Sequence, residues 1–206
     1  MPQPFLTDES KKALAEAVRA VESCSSAELV VAVRPRSGSY LHADLTFGIL
    51  AGLATLAVLL YSRWEFALIW FLIDPLVVGA LAGLAASRSA ALRRTLTRRR
   101  TRRQRAETAA RATFIERRIH GTAGRTGILL YVSVLEREAV VVVDVGVEAL
   151  AATDAWRKAA GEIEEAVHSG ADGTAVAARI RVLATLLSSA LERSATDVDE
   201  LPNEVC

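Results

Sequence analysis

The sequence predicts an α/β domain with a central mixed sheet, interrupted after its first strand by a two-helix transmembrane hairpin. Three observations carry that prediction. Two long apolar runs lie close together between residues 43 and 87. Three short β-branched runs lie outside them, one before and two after. The stretches around those strands place apolar residues at helical spacing. A chain of 206 residues has room for one small domain plus a membrane anchor. Its 51% hydrophobic residues, beside 24% charged ones, fit together only if the two kinds are segregated along the chain. The net charge of +1 excludes a polyanion binder by global charge, so any basic function is local.

The first element starts at Thr7-Asp8-Glu9, a threonine cap followed by acids where the helix dipole favours them. Leu14, Val18 and Val21 form its apolar stripe, and Cys24-Ser25-Ser26 ends it. Glu28 to Arg34 then reads as a strand; its apolar run is too continuous for one wet face and predicts the interior of a mixed or parallel sheet. Met1 to Ala20 is polar and helix-like, unlike a cleavable secretory signal. Cys24 and Cys206 are the only cysteines, which suits free thiols in a reducing compartment.

Leu45 to Tyr61 offers 17 residues without a charge, at the short end of what spans a hydrocarbon core. Trp64 to Ala86 offers 23, with Glu65 at its mouth and only Asp74 inside. Tyr61, Trp64 and Trp70 fall near the turn, where amphipathic rings favour the interface. Nine arginines and no acid lie between Arg88 and Arg105, and Arg34 and Arg36 precede the first span. The connecting loop has Arg63 alone, balanced by Glu65. This asymmetry predicts a multi-pass protein of a bacterial-type cytoplasmic membrane, with both termini in the cytoplasm.

Within the hairpin, Gly48 and Gly52, and Gly79 and Gly83, stand four apart, which lets helix backbones approach closely. They mark either a face for a homo-oligomer or the packing of the two spans against each other. Asp74 carries a carboxyl group into the membrane at a cost of roughly 2.5–3.5 kcal/mol. Pro75 removes a backbone donor and leaves the carbonyl near Phe71 short of a bond. Counting back through the loop sets Asp74 at the depth of Ala51 to Thr55, which offers Thr55 as a hydrogen-bond partner. A proton or ion relay needs further ionisable groups in the spans, and the sequence has none there.

No glycine or proline lies between Leu84 and His120, so the second span is expected to continue as one helix through the basic block. Arg93, Arg94, Arg98, Arg99, Arg100, Arg102 and Arg103 of that block are expected to face anionic lipid, at about 1 kcal/mol per residue near the surface. Without interleaved aromatic residues the block is a poor nucleic-acid site. An acidic partner, such as the chain's own acidic tail, is a further reading. Beyond the turn at His120 to Gly124, Gly127 to Ser133 and Ala139 to Asp144 are β-branched runs joined by Leu135 to Glu138, a short link that makes them an antiparallel hairpin. Two amphipathic helices follow, from about Thr153 to His168 and from about Thr174 to Arg193. The domain is thus divided into residues 1–36 (first helix and strand), 43–87 (hairpin), 88–112 (basic juxtamembrane helix) and 113–206 (the remainder).

The stretch Phe114, Arg117-Arg118-Ile119, Gly121-Thr122 and Arg125-Thr126-Gly127 to Ser133 resembles the middle of the TPM domain, a family shared by thylakoid-lumen acid phosphatase-like proteins and photosystem repair proteins. The likeness continues through Glu136-Arg137, Val142 to Gly146, Trp156, Gly173 to Leu191 and Asp199 to Asn203, and Ser26 to Val31 is similar to the family's first strand. The resemblance implies an α/β sandwich. Some relatives are described as metal-dependent acid phosphatases and others as assembly or repair factors. Better-known members are typically exported and anchored at an end, whereas here the anchor interrupts the domain.

Candidate metal or ligand residues are Asp144, Asp154, Asp197 and Asp199, since a divalent metal ion wants several carboxylate and carbonyl oxygens. Asp144 is the best placed, at the end of a strand, and would otherwise be a turn or capping acid. Arg125 presents a planar fork that suits a phosphate or carboxylate, or a salt bridge across the sheet end. His120 and His168 each lie beside a glycine-marked turn. The sequence holds no nucleotide-binding glycine loop, nucleophile elbow or zinc spacing. The expectation is a scaffold or an assembly and maintenance factor for membrane proteins, with a weak metal-dependent acid phosphatase as the alternative.

Overall fold

A computed structural model describes residue 5, residues 7–191 and residue 193. The chain forms two compact units: Met1–Ser37 with Arg102–Cys206, and Gly38–Thr101.

In the first unit, helix α1 (Asp8–Cys24) begins where the Thr7 hydroxyl accepts the Ser10 amide, and it buries Leu14, Val18 and Val21. Strands β1 (Glu28–Arg34), β2 (Gly127–Ser133) and β3 (Glu138–Val143) form a mixed sheet in the order β1-β2-β3. β1 runs parallel to β2, from Glu28 opposite Gly127 to Arg34 opposite Ser133. β3 returns antiparallel, with Ile128 opposite Val143 and Ser133 opposite Glu138. The continuous apolar run of β1 therefore does not mark a central strand: β1 is an edge, and β2 is the centre. The run is buried because both faces are covered. Leu29, Val31 and Val33 enter one core with α1, α7 (Asp154–Ser169) and α8 (Gly173–Ala190). Val30 and Ala32 enter a second, smaller core with Ala106, Ala110 and Phe114 of α5 (Arg99–Glu116).

Side-chain caps set the later helices. Thr153 accepts the Trp156 amide at the start of α7, and Asp172 accepts the Ala175 amide at the start of α8. Gly170, at a left-handed φ of 87°, ends α7. A short helix, α6 (Glu148–Ala151), follows a 3₁₀ turn after β3, an element that leaves no periodic signal at four residues.

In the second unit, α2 (Leu41–Tyr61) and α3 (Trp70–Arg88) are long and apolar enough to cross a membrane, by length and composition. At 1.5 Å per residue they measure about 31 and 28 Å. The segment before Trp70, expected within the second span, is not helical. The chain also does not continue as one helix through the arginines. It breaks at Ser89, whose extended backbone lets its hydroxyl accept the Leu92 amide and start α4 (Ala90–Leu96). It breaks again at Thr97, also extended, before α5. The first break needs no glycine or proline, because the Ser89 side chain replaces a helical bond; the Thr97 hydroxyl, by contrast, is buried without a hydrogen-bond partner.

Candidate functional site

Small residues dictate the packing of α2 against α3. A Cβ added at Gly48 would lie 2.7 Å from the Gly79 carbonyl oxygen, and one at Gly52 would lie 2.8 Å from that of Pro75. One at Gly79 would lie 2.9 Å from the Gly48 oxygen. The three contacts run in opposite directions along the two helices, so the pair is antiparallel and its backbones touch. All four glycines predicted for close packing, Gly83 included, are used inside this hairpin. A groove of about 610 Å³ runs along one side of the contact, lined by Leu45, Ile49, Leu53, Leu76 and Leu84 among others. Most apolar side chains of the hairpin point outward; Val58 is 70% exposed and Leu76 65%.

At the start of α2, Asp44 is clasped by Arg93 of α4. Arg93 Nε donates to Oδ1 at 2.9 Å and Nη2 to Oδ2 at 2.6 Å. The two side chains are 13% and 11% exposed for Arg93 and Asp44. The guanidinium also lies 6.0 Å from the ring centroid of the buried Tyr40. A paired fork over an aromatic face is what arginine, rather than lysine, supplies. Asp44 also stands in the first turn of α2, where its charge meets the positive end of the helix dipole.

This clasp corrects the expectation that the whole basic block faces lipid. Arg93 is turned to Asp44. Arg103 is held by Glu164 at 2.8 Å and Glu107 at 3.1 Å, with Glu138 at 4.0 Å, and the bond to Glu164 is the main reason its guanidinium is held above its ordinary value. Arg94 and Arg102 are half-buried, while Arg98, Arg99 and Arg100 are exposed. Nothing in the spacing of the arginines distinguishes these groups. The acids that divide them lie about 50 or 60 residues away in sequence.

Asp74 lies half-buried in α3, before Pro75. The expected partner does not reach it: the Thr55 hydroxyl donates to Ala51 O of its own helix at 3.0 Å. A hydroxyl one turn along a helix finds the nearest carbonyl more cheaply than a group on another helix.

In the α/β unit, Asp144 and Arg125 do come together, but on each other. Arg125 Nη2 donates to Oδ1 at 2.9 Å and its Nε lies 2.8 Å from Oδ2, while Oδ1 also accepts the Val145 amide at 2.8 Å. Asp144 is 4% exposed; two donors take up Oδ1, while Oδ2 faces Arg125 as an ion pair without a hydrogen bond. Arg125 adopts a left-handed φ of 53°, and the Gly146 amide donates to its carbonyl at 2.9 Å. A Cβ at Gly146 would meet that carbonyl at 2.7 Å, which is why glycine follows Val145. Asp154 is exposed and, among the described residues, pairs with Arg157 of its own helix. Among the described residues no three His, Cys, Asp or Glu side chains gather to hold a metal ion. Asp197, Asp199 and Cys206 lie outside the described residues. His168 approaches Arg137 O at 3.3 Å, and the His120 ring stacks at a tilt near Phe114.

One polar cluster was not singled out from the sequence. Glu136 is completely buried; one carboxylate oxygen accepts the Ser37 amide at 2.9 Å and the other accepts the Ser133 hydroxyl. Ser37 Oγ donates to Ser133 Oγ at 2.6 Å and lies 3.0 Å from the Tyr131 hydroxyl. Burial raises the pKa of that phenol above its ordinary value. The cluster stands where β1 and β2 end side by side, and it ties Ser37, the last residue before the second unit, to the β2–β3 turn. Its only sequence signal is an acid in a tight turn beside a strand-terminal serine, a common surface pattern.

No protein-family model matches the chain, and comparison with curated proteins finds no match. Among solved structures, the chain is similar to the NMR structure of the BA42 protein from the psychrophilic bacterium Bizionia argentinensis, with a TM-score of 0.58 and 18% identity over 98% of this chain and 94% of that one. The likeness bears on the fold alone: this chain is a mixed α/β protein with a small three-stranded sheet.

Proposed function

We propose that this chain is an integral membrane protein whose hairpin crosses the bilayer and whose α/β domain, with both termini, stands in the cytoplasm, where it serves as a scaffold or an assembly and maintenance factor for membrane proteins. The observation that carries this reading is the hairpin: two apolar helices, packed on each other through glycines, leave most of their large side chains exposed. Such a surface suits lipid or another membrane helix, and not water. The exposed Arg98, Arg99 and Arg100 follow it and suit an anionic cytoplasmic leaflet. The resemblance to the TPM domain family, some of whose members are described as assembly or repair factors, supports a partner-binding role.

Thiol labelling in intact cells tests the topology. Cys206 resists an impermeant maleimide until the cells are opened, whereas Cys introduced at Ser62 reacts at once. Labelling of Cys206 in intact cells overturns the assignment. Full-length protein in detergent is also assayed with p-nitrophenyl phosphate, with and without divalent cations. Turnover that disappears in Asp144→Asn would replace the scaffold with the phosphatase.

A further inference from the structure

The hairpin has two sides, and they differ in chemistry. The leucine-lined groove occupies one, with Pro75, Leu76, Gly79, Ala80, Gly83 and Leu84 from α3. Asp74 is absent from that lining. It falls at helical spacing with Phe71, Val78 and Ala82, on the other side of the contact, and Ala51 and Thr55 stand outside the groove lining on α2 in the same way. Among the described residues no donor pairs with Asp74, while Thr55 spends its proton on Ala51. Pro75 has no N–H, so the Phe71 carbonyl also lacks its normal donor one turn on. Asp74 thus presents its carboxyl on one apolar side with no donor paired to it among the described residues, and Pro75 leaves a further carbonyl, that of Phe71, without its helical donor.

We infer that the Asp74 side of the hairpin is a docking face for a transmembrane helix of another protein that carries a lysine or arginine at the depth of Asp74. This rests on the reading that α2 and α3 span the bilayer. In hydrocarbon a carboxyl group and a freed carbonyl both gain from a cationic donor, which brings several N–H bonds and the opposite charge. A second copy of this chain is the poorer occupant of the ionised form, because it brings a second carboxylate of like charge and no cationic donor. The groove side has no such demand and takes acyl chains without selectivity.

The test uses the full chain in phosphatidylcholine vesicles with a photo-reactive benzoylphenylalanine in place of Val78, and a second protein with it in place of Leu84 on the groove side. The probes are two synthetic helices of leucine and alanine, one with a single lysine at its midpoint and one with leucine there. Cross-linking from position 78 is expected to favour the lysine helix by about tenfold, in the range seen for polar contacts between membrane helices. The preference is lost in Asp74→Leu, reduced in Asp74→Asn and absent from position 84. Equal capture of both helices, or a preference that survives Asp74→Leu, overturns the inference. So does cross-linking chiefly between copies of the chain. Flotation and alkaline extraction of the same vesicles separate the two levels: a chain that fails to insert overturns the spanning reading together with this one, whereas an inserted chain without lysine preference overturns this one alone.

Discussion

Replacing Gly48 by alanine pits a local rule against a tertiary one. In an isolated helix alanine is favoured over glycine by about 0.8–1.0 kcal/mol, so propensity predicts stabilisation. The structure predicts the reverse. The new Cβ would lie 2.7 Å from Gly79 O, 3.5 Å from Gly79 C and 3.5 Å from Gly83 Cα. All three are backbone atoms and cannot turn aside. Restoring ordinary contact requires the helices to part by about 0.7 Å, against a packed surface with a typical overpacking cost of 1–3 kcal/mol. Subtracting the propensity gain leaves a net loss of up to about 2.2 kcal/mol. Gly161, in α7 with nothing within 4 Å of its added Cβ, is the control, and Gly161→Ala is expected to stabilise by about 0.8–1.0 kcal/mol. Unfolding is followed in mixed micelles of rising SDS fraction, with Trp64 and Trp70 reporting on the hairpin and Trp156 on the α/β unit in single-tryptophan proteins. If Gly48→Ala stabilises the hairpin as Gly161→Ala stabilises α7, the glycines do not hold the two helices in contact and the packing described above is wrong.

Three further outcomes follow from named contacts. Arg93→Ala leaves Asp44 buried without its partner and should destabilise the hairpin by about 3–5 kcal/mol in the same titration, with much of that recovered in the Asp44→Leu, Arg93→Leu double variant. Glu136→Gln exchanges one of two accepting oxygens for a donor that faces the Ser37 amide or the Ser133 hydroxyl; a loss of about 1–3 kcal/mol in urea is expected, and no change would mean the cluster does not lock Ser37. Asp172 caps α8, and the Ala175 amide, with the Thr174 hydroxyl, holds its carboxyl below the ordinary 3.8. Because the folded value is the lower one, this stabilisation is present above pH 3.8 and fades as pH falls through the folded value. Asp172→Ala should therefore cost about 0.5–2 kcal/mol at pH 7 and progressively less in acid, whereas a penalty constant with pH would assign the loss to packing.

Much of the local structure was legible because it is written in short-range chemistry. Thr7 before two acids starts a helix, the runs Glu28–Arg34 and Gly127–Ser133 are strands, and a four-residue link makes β2 and β3 a hairpin. Length and hydropathy alone mark two helices able to cross a membrane. The tertiary structure decided what partners those elements take. β1 is an edge strand, although its composition suits a centre, because burial depends on what lies above and below a strand as well as beside it. The arginine block reads as uniform, yet Asp44 and Glu164 draw Arg93 and Arg103 out of it. Asp144 and Arg125 each look like ligand residues until the turn after β3 closes them on one another. In each case the deciding group is far away in sequence. A residue's own chemistry says which bonds it needs, and only the folded chain says which of them it already has.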